Sequence, residues 1–390
     1  MQHAFKTHIQ EVLDHYETSD HGLALRRLLD CAIETQDPLV FSETLAFCDW
    51  NETLSPDDGA SRLDKVRPLM EKIDRVGVKN PYQGPDQVVM VEKVAKKYAK
   101  SGFQISDLNF SLDIRKITGL VGENGNGKTT LLRILASELK PDTGKIVYSF
   151  PEGDLGDYAL KTKLIYIEQR IPRWYGSLMD NLQFTVSHYH DQPEENHLWT
   201  EMMIARLGLR PYRHLTWGRI SSGYRTRFEL AKTLLRRPRI LLLDEPLANL
   251  DIVAQQTILQ DLKFMANSIS APFAMILSSQ HIYEVEKVSD SIIFIRDGIA
   301  RYDAKNIPGE VQTEGSELIL ELEVKAGRDI LKAALDEVGL TRIQYNGGVY
   351  LLHFNAATSS SDVLGALAKN EVETLYFRNI SQSSRRFFNQ

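Results

Sequence analysis

The stretch from Ile117 to Leu139 constrains the fold more than any other. Ile117-Thr118-Gly119-Leu120-Val121 is a short apolar run with strand character. Gly122-Glu123-Asn124-Gly125-Asn126-Gly127-Lys128-Thr129 follows, and the helical pattern Thr130 to Leu139 comes next. A G-x-x-x-x-G-K-T loop between a strand and a helix is built to hold phosphate. Its glycines let the backbone curl so that successive N–H groups converge on phosphate oxygens, and the helix N-terminus adds partial positive charge. Lys128 can reach the terminal phosphates and the Thr129 hydroxyl can hold Mg²⁺. Such a loop demands an α/β core in which buried strands alternate with helices.

The surrounding chain agrees. From Val88 onward, short β-branched apolar runs alternate with longer helical segments. With 390 residues the chain has room for two or three domains. Its composition, 43% hydrophobic and 25% charged, is that of a folded protein rather than a disordered one. Two cysteines exclude a disulfide framework or a multi-cysteine zinc array. The start, Met1 to Asp20, has no apolar core of signal-peptide type, and no apolar run nears the roughly 20 residues that cross a bilayer. These features predict a cytosolic protein that forms no membrane channel by itself.

Residues 1–76 read as an all-helical extension. Phe5, Ile9, Val12, Leu13 and Tyr16 fall at three- and four-residue steps, as do Leu25, Leu28, Leu29 and Ala32. Ser55-Pro56-Asp57-Asp58 has the marks of a helix start, and Leu63, Val66, Met70 and Ile73 form the stripe that follows, with Pro68 predicted to kink or split it. Residues 1–80 hold 15 Asp+Glu against 9 Lys+Arg, the whole formal charge of −6, so residues 81–390 sum to zero. The acidic start is expected to be a solvated helical surface. The neutral remainder lacks the basic face that nucleic-acid binding usually needs, so no nucleic-acid partner is expected.

Gly77 to Gln87, with Gly77, Pro81, Gly84 and Pro85, reads as a linker over 77–87. A catalytic domain is expected over 88–312, with a helical subdomain over about 170–236, and a C-terminal α+β domain over 313–390. In that last part the pattern runs strand, helix, hairpin at Gly347-Gly348, helix, strand, which is a ferredoxin-like order.

A second chemical feature is Arg239-Ile240-Leu241-Leu242-Leu243-Asp244-Glu245-Pro246, an apolar strand ending in two acids. Ligands of α/β sheets bind beyond the carboxyl ends of strands. Asp244 suits a role in holding Mg²⁺, and Glu245 one in polarising an attacking water. Between the loop and this strand lies Ile220-Ser221-Ser222-Gly223-Tyr224, followed by a helical run. His188-Tyr189-His190 offers a histidine pair but no third metal ligand nearby, and is set aside. Arg170, Arg173, Arg236, Arg237 and Arg239 are read as serving the helical subdomain or an interface.

Ser221 to Tyr224 resembles the L-S-G-G-Q signature of the ATP-binding cassette family. Ile220, Ser222 and Tyr224 depart from it, while Ser221 and Gly223 are kept. Other landmarks of that family fall in order: Gln169 as the glutamine loop, Leu250-Asp251 as the D-loop, His281 as the switch histidine, and Tyr98 as the aromatic that stacks on adenine. The resemblance covers about Val88 to Gly309 and implies a P-loop NTPase cassette, a mixed sheet with a helical subdomain. It implies ATP as substrate, with Gly122 to Thr130 and Tyr98 binding it, and Mg²⁺ held by Thr129, Asp244 and Gln169. Lys128, Gln169, Glu245 and His281 would be the catalytic set. Ser221 to Tyr224 and Asp251 would face the nucleotide of a second copy in a head-to-tail dimer.

The resemblance further implies ATP hydrolysis coupled to transport through a separate integral-membrane permease, with the protein on the inner face of the cell membrane. The combination of cassette and C-terminal appendage looks most like exporter-type ATPases. Arg170 to Leu182, with Trp174, Tyr175 and Leu178, matches the region where a permease docks, although plain core packing fits it equally. The alternative reading is a soluble ATPase of the same superfamily acting on a macromolecular partner.

Overall fold

The computed structural model describes residues 2–55, 58–98, 103–153, 155–189, 193–248, 250–280, 285–296, 298–304, 318–346 and 348–381. The chain forms two compact units, Met1–Tyr302 and Asp303–Gln390.

In the first unit, nine strands form one mixed sheet. They are β1 (Gln87–Lys97), β2 (Gln104–Asp113), β3 (Ile117–Val121), β4 (Thr143–Tyr148), β5 (Leu164–Ile167), β6 (Ile240–Leu243), β7 (Ala274–Ser279), β8 (Ser291–Arg296) and β9 (Ile299–Ala304), in the order β4-β1-β2-β9-β8-β3-β7-β6-β5. The run β8-β3-β7-β6-β5 is parallel. Strands buried on both faces read as unbroken apolar runs, and every residue of β3, β6 and β7 is buried. Antiparallel β1, β2 and β4, with β9 parallel to β2, complete the sheet. Beyond it stand α7 (Leu178–Val186), α8 (Asn196–Arg206) and α9 (Ser222–Leu235), where the helical subdomain is expected.

The N-terminal helices are α1 (Gln2–Glu17), α2 (His21–Thr35), α3 (Pro38–Asn51) and α4 (Gly59–Val76). Asp37 caps α3 by accepting from the Leu39 and Val40 amides, with Pro38 in the first turn. Pro56 and Asp57 of the expected helix start lie outside the described residues. Pro68 does not split its helix into two: α4 runs through it for 18 residues. Its ring lies on the exposed side, so the carbonyl left without an N–H partner can turn to water.

The acidic surface is largely solvated as expected, with Asp14, Glu17, Asp20, Asp64, Glu71 and Asp74 among its exposed acids, but two acids depart from it. Asp30 and Glu34 are buried at 9% and 6% exposure. Glu34 accepts from Ser268 Oγ (2.7 Å), the Ile269 amide (2.7 Å) and the Ser270 amide (2.9 Å), closing the turn after α10 (Ile252–Ala266). Asp30 pairs with Arg27 at 2.8 Å and with Arg206 of α8, a side chain with no exposure. Arg206 also lies 3.1 Å from Asp261 of α10, which pairs with Arg26 at 3.2 Å. Burial pushes the Arg206 guanidinium down, but Asp30 and Asp261 outweigh it and hold its pKa above the ordinary value. Arg210 pairs with Asp49 and, at 3.4 Å, with Glu52. Phe41 packs edge-on against Trp199 at 4.7 Å. Asp30, Asp49 and Glu52 of the extension thus meet Arg206 and Arg210.

The second unit consists of β10 (Leu318–Val324), α11 (Arg328–Leu335), β11 (Leu340–Asn346), β12 (Val349–Phe354), α12 (Ser360–Lys369) and β13 (Thr374–Asn379). Its sheet is antiparallel in the order β11-β12-β10-β13, the ferredoxin-like arrangement that the element order predicts. Leu320, Leu322, Leu352 and Phe354 of the sheet bury against Leu331, Leu335, Val363 and Leu367 of the helices. The boundary expected at 312–313 lies outside the described residues.

Candidate active site

Four parallel strands end side by side, and each delivers one piece of the site. After β3 comes the loop Gly122–Thr129, which leads into α5 (Lys128–Leu135). Gly122 is obligatory there: a Cβ would lie 2.3 Å from the Ile295 carbonyl oxygen. Gly127 has φ +103°, and a Cβ would meet the Phe103 ring at 2.8 Å. Lys128 is 5% exposed, and its ammonium donates to the Gly122 carbonyl at 2.7 Å and the Glu123 carbonyl at 3.3 Å. Asn124 donates to Gln280 Oε1 at 3.1 Å. Glu123, Gly125 and Thr129 are exposed, and Asn126 and Thr130 are half-buried at the loop and the head of α5.

After β6 come Asp244 and Glu245. Thr129 Oγ1 donates to Asp244 Oδ2 at 2.7 Å. Tyr166, from β5, donates to the same oxygen at 3.2 Å. Burial, and then the Asp244 carboxylate, push the Tyr166 hydroxyl well above its ordinary pKa, so it stays a donor. The Glu245 carboxylate lies between Lys128 Nζ at 3.3 Å and Gln169 Nε2 at 2.9 Å. A carboxylate and a hydroxyl facing each other beside a phosphate loop form the oxygen set that Mg²⁺ prefers.

The remaining expected positions fall nearby or elsewhere. Tyr98 is 37% exposed and its ring lies 6.4 Å from Phe103, which in turn contacts the Gly127 position. Ser221 is the N-cap of α9 and accepts from the Tyr224 amide, so Ser222, Gly223 and Tyr224 form the helix's first turn. Gly223 faces Leu250, and the Tyr224 ring lies 3.9 Å from Tyr212. Asp251 caps α10 by accepting from the Ala254 amide at 2.9 Å. A cleft of about 280 Å³ separates Gln169 and Glu245 from Ser222 and Arg225. His281 lies outside the described residues. Trp174 is core, stacked 4.9 Å from Trp217 and donating to Glu229, and Leu178 is fully buried, whereas Tyr175 is 81% exposed.

Sequence reasoning missed Phe103, Tyr166 and Ser278. The Ser278 hydroxyl donates to Asp244 Oδ1 at 2.7 Å and accepts from the Glu245 amide at 3.0 Å. A hydroxyl at the end of an otherwise apolar buried strand is the signal that could have found it, since such a group needs a partner.

A strand-borne phosphate loop with two acids at the end of a neighbouring strand defines a nucleoside-triphosphate-binding α/β domain. Comparison with known proteins gives the family: residues 105–248 match the ABC transporter family. The spermidine/putrescine import ATP-binding protein PotA of Protochlamydia amoebophila is 32% identical over 212 residues, covering 54% of this chain and 56% of PotA. The chain therefore spans just over half of that relative's length. The SkfA peptide export ATP-binding protein SkfE of Bacillus subtilis is 28% identical over 239 residues, covering 60% of this chain and 97% of SkfE. Among solved structures, cbiO1 from Clostridium perfringens, part of the ABC transporter complex cbiONQ, shares the fold with a TM-score of 0.51 at 21% identity, over 56% of this chain and 89% of its own. The matched stretches, residues 105–248 in the family model and 54–60% of the chain in these two relatives, are thus similar to ATP-binding proteins of ABC transporters.

Proposed function

We propose that the chain is the ATP-hydrolysing subunit of an ABC transporter, working as a head-to-tail pair on the inner face of the cell membrane and powering export through a separate permease. The observation that carries this is Glu245, whose carboxylate sits between Lys128 and Gln169 while Asp244 faces Thr129.

Lys128 and the loop amides bind the β- and γ-phosphates and offset their charge. Thr129 and Asp244 would hold Mg²⁺, with Gln169 beside them. Bound there, the ion neutralises charge on the transferring phosphate. Glu245 accepts the proton of the attacking water, and Gln169 orients that water. Tyr98 and Phe103 offer an aromatic face to the base. Ser221 to Tyr224 and Asp251 of one copy would meet the nucleotide of the other, and His281 would contact the terminal phosphate. Two copies are needed because each chain carries one phosphate loop and one signature turn. Among the described residues no helix is long and apolar enough to cross a membrane, so translocation falls to a partner. Export is supported by the peptide-export relative, matched over 97% of its length.

Glu245→Gln tests the pairing. With ATP and Mg²⁺ that variant should double its mass in light scattering, because nucleotide is bound but not turned over. A variant that stays monomeric with bound ATP counts against the head-to-tail pair. Co-purification with a multi-span membrane protein supports transport; co-sedimentation with ribosomes supports the soluble alternative.

A further inference from the structure

Ser278 is the penultimate residue of β7, with no solvent exposure, in a strand otherwise apolar up to Leu277. It lies between β6 and β3, in register with Leu120. Its hydroxyl is fully used. It gives its proton to Asp244 Oδ1 (2.7 Å) and takes the Glu245 amide proton (3.0 Å). One oxygen atom therefore ties together the two acids of the site, from a strand that contributes neither.

Both ends of that tie matter. Glu245 has φ +46°, a left-handed conformation that costs a non-glycine residue energy and that it holds only when its surroundings enforce it. The Ser278 hydroxyl is the hydrogen-bond acceptor for the amide of that strained residue, so it helps fix the bend that aims Glu245 at Lys128 and Gln169. At Asp244, Ser278 occupies Oδ1 and leaves Oδ2 turned toward Thr129 and the phosphate loop. A hydrogen bond to an ionised group is stronger than one between neutral groups, enough to select one carboxylate rotamer over another.

We propose that Ser278 is a positioning residue for ATP hydrolysis: it sets the Asp244 carboxylate for Mg²⁺ and the Glu245 backbone for water activation, acting through both acids without touching nucleotide. This rests on the function proposed above and adds to it a residue that the family's sequence landmarks do not include.

The test uses the full chain and Ser278→Ala, with Ser278→Thr as the variant that keeps a hydroxyl. ATP turnover is measured across a Mg²⁺ titration, ATP binding is measured without metal, and the melting temperature is followed. Ser278→Ala should lower kcat by about ten- to a hundredfold and shift half-maximal Mg²⁺ upward. Metal-free ATP affinity should stay within about threefold, since a 1.4 kcal/mol change would be tenfold. Ser278→Thr should recover part of both kcat and the Mg²⁺ midpoint. If Ser278→Ala lowers the melting temperature but keeps the wild-type kcat and Mg²⁺ midpoint, the serine only fills the core and the proposal fails. If Ser278→Ala does not fold, Ser278→Thr decides alone: Mg²⁺ dependence and kcat like wild type support a hydroxyl role, and loss of both contradicts it. Absence of turnover in the wild-type chain would overturn the proposed function instead.

Discussion

Gly122 shows how tightly the phosphate loop is seated on the sheet. A single methyl group there would lie 2.3 Å from the carbonyl oxygen of Ile295, which is backbone and cannot swing aside. Gly122→Ala should therefore force the loop and β8 apart, lowering stability by about 3 kcal/mol in a denaturant titration and weakening ATP binding together. The opposite case is Gly125, whose Cβ would meet nothing within 4 Å, although its φ of +86° still disfavours a side chain. The loop and the two acids were legible in the sequence because their chemistry needs fixed residue types at fixed local spacing. Tyr166 and Ser278 were not, because they reach Asp244 from strands 78 and 34 residues away, and nothing local to either one shows the partner.

At the scale of elements, the parallel strands were the most readable part, since burial on both faces leaves a continuous apolar run. The ferredoxin-like order of the second unit was readable from alternation and the Gly347-Gly348 pair in the sequence. The continuity of α4 through Pro68 was not legible, because the sequence does not show which side of the helix faces water. The N-terminal helices also carry a titration. Burial, with the Glu52 and Asp49 carboxylates adding to it and Arg210 opposing, raises the Cys48 thiol from 9.0 to about 11. The folded state thus favours the neutral thiol. Its contribution is complete below pH 9 and is lost as pH rises through about 11. Two pH units correspond to about 3 kcal/mol. Denaturation of the wild type between pH 8 and pH 11 should show that loss, and Cys48→Ala should flatten the slope even if it lowers stability at every pH.

Across the whole molecule, charge is the organising quantity. The segment 170–239 holds twelve Lys+Arg and six Asp+Glu, a charge of +6 that mirrors the −6 of residues 1–80. Composition alone could not show this, because residues 81–390 sum to zero. The structure brings the two together through Asp30, Arg206 and Asp261 and through Arg210 with Asp49 and Glu52. Removing one partner of a buried pair leaves an uncompensated charge, so Asp30→Ala should cost about 3–5 kcal/mol of unfolding free energy. The same variant should raise hydrogen exchange in both α2 and α8, because Arg206 joins them. The central claim, however, is catalytic. It is tested most directly by Mg²⁺-dependent phosphate release from ATP by the purified full chain, compared with Glu245→Gln. We expect turnover by the wild type and a loss of about a hundredfold or more in the variant, with ATP still bound. Wild-type rates in Glu245→Gln, or no hydrolysis by the intact chain, would contradict it.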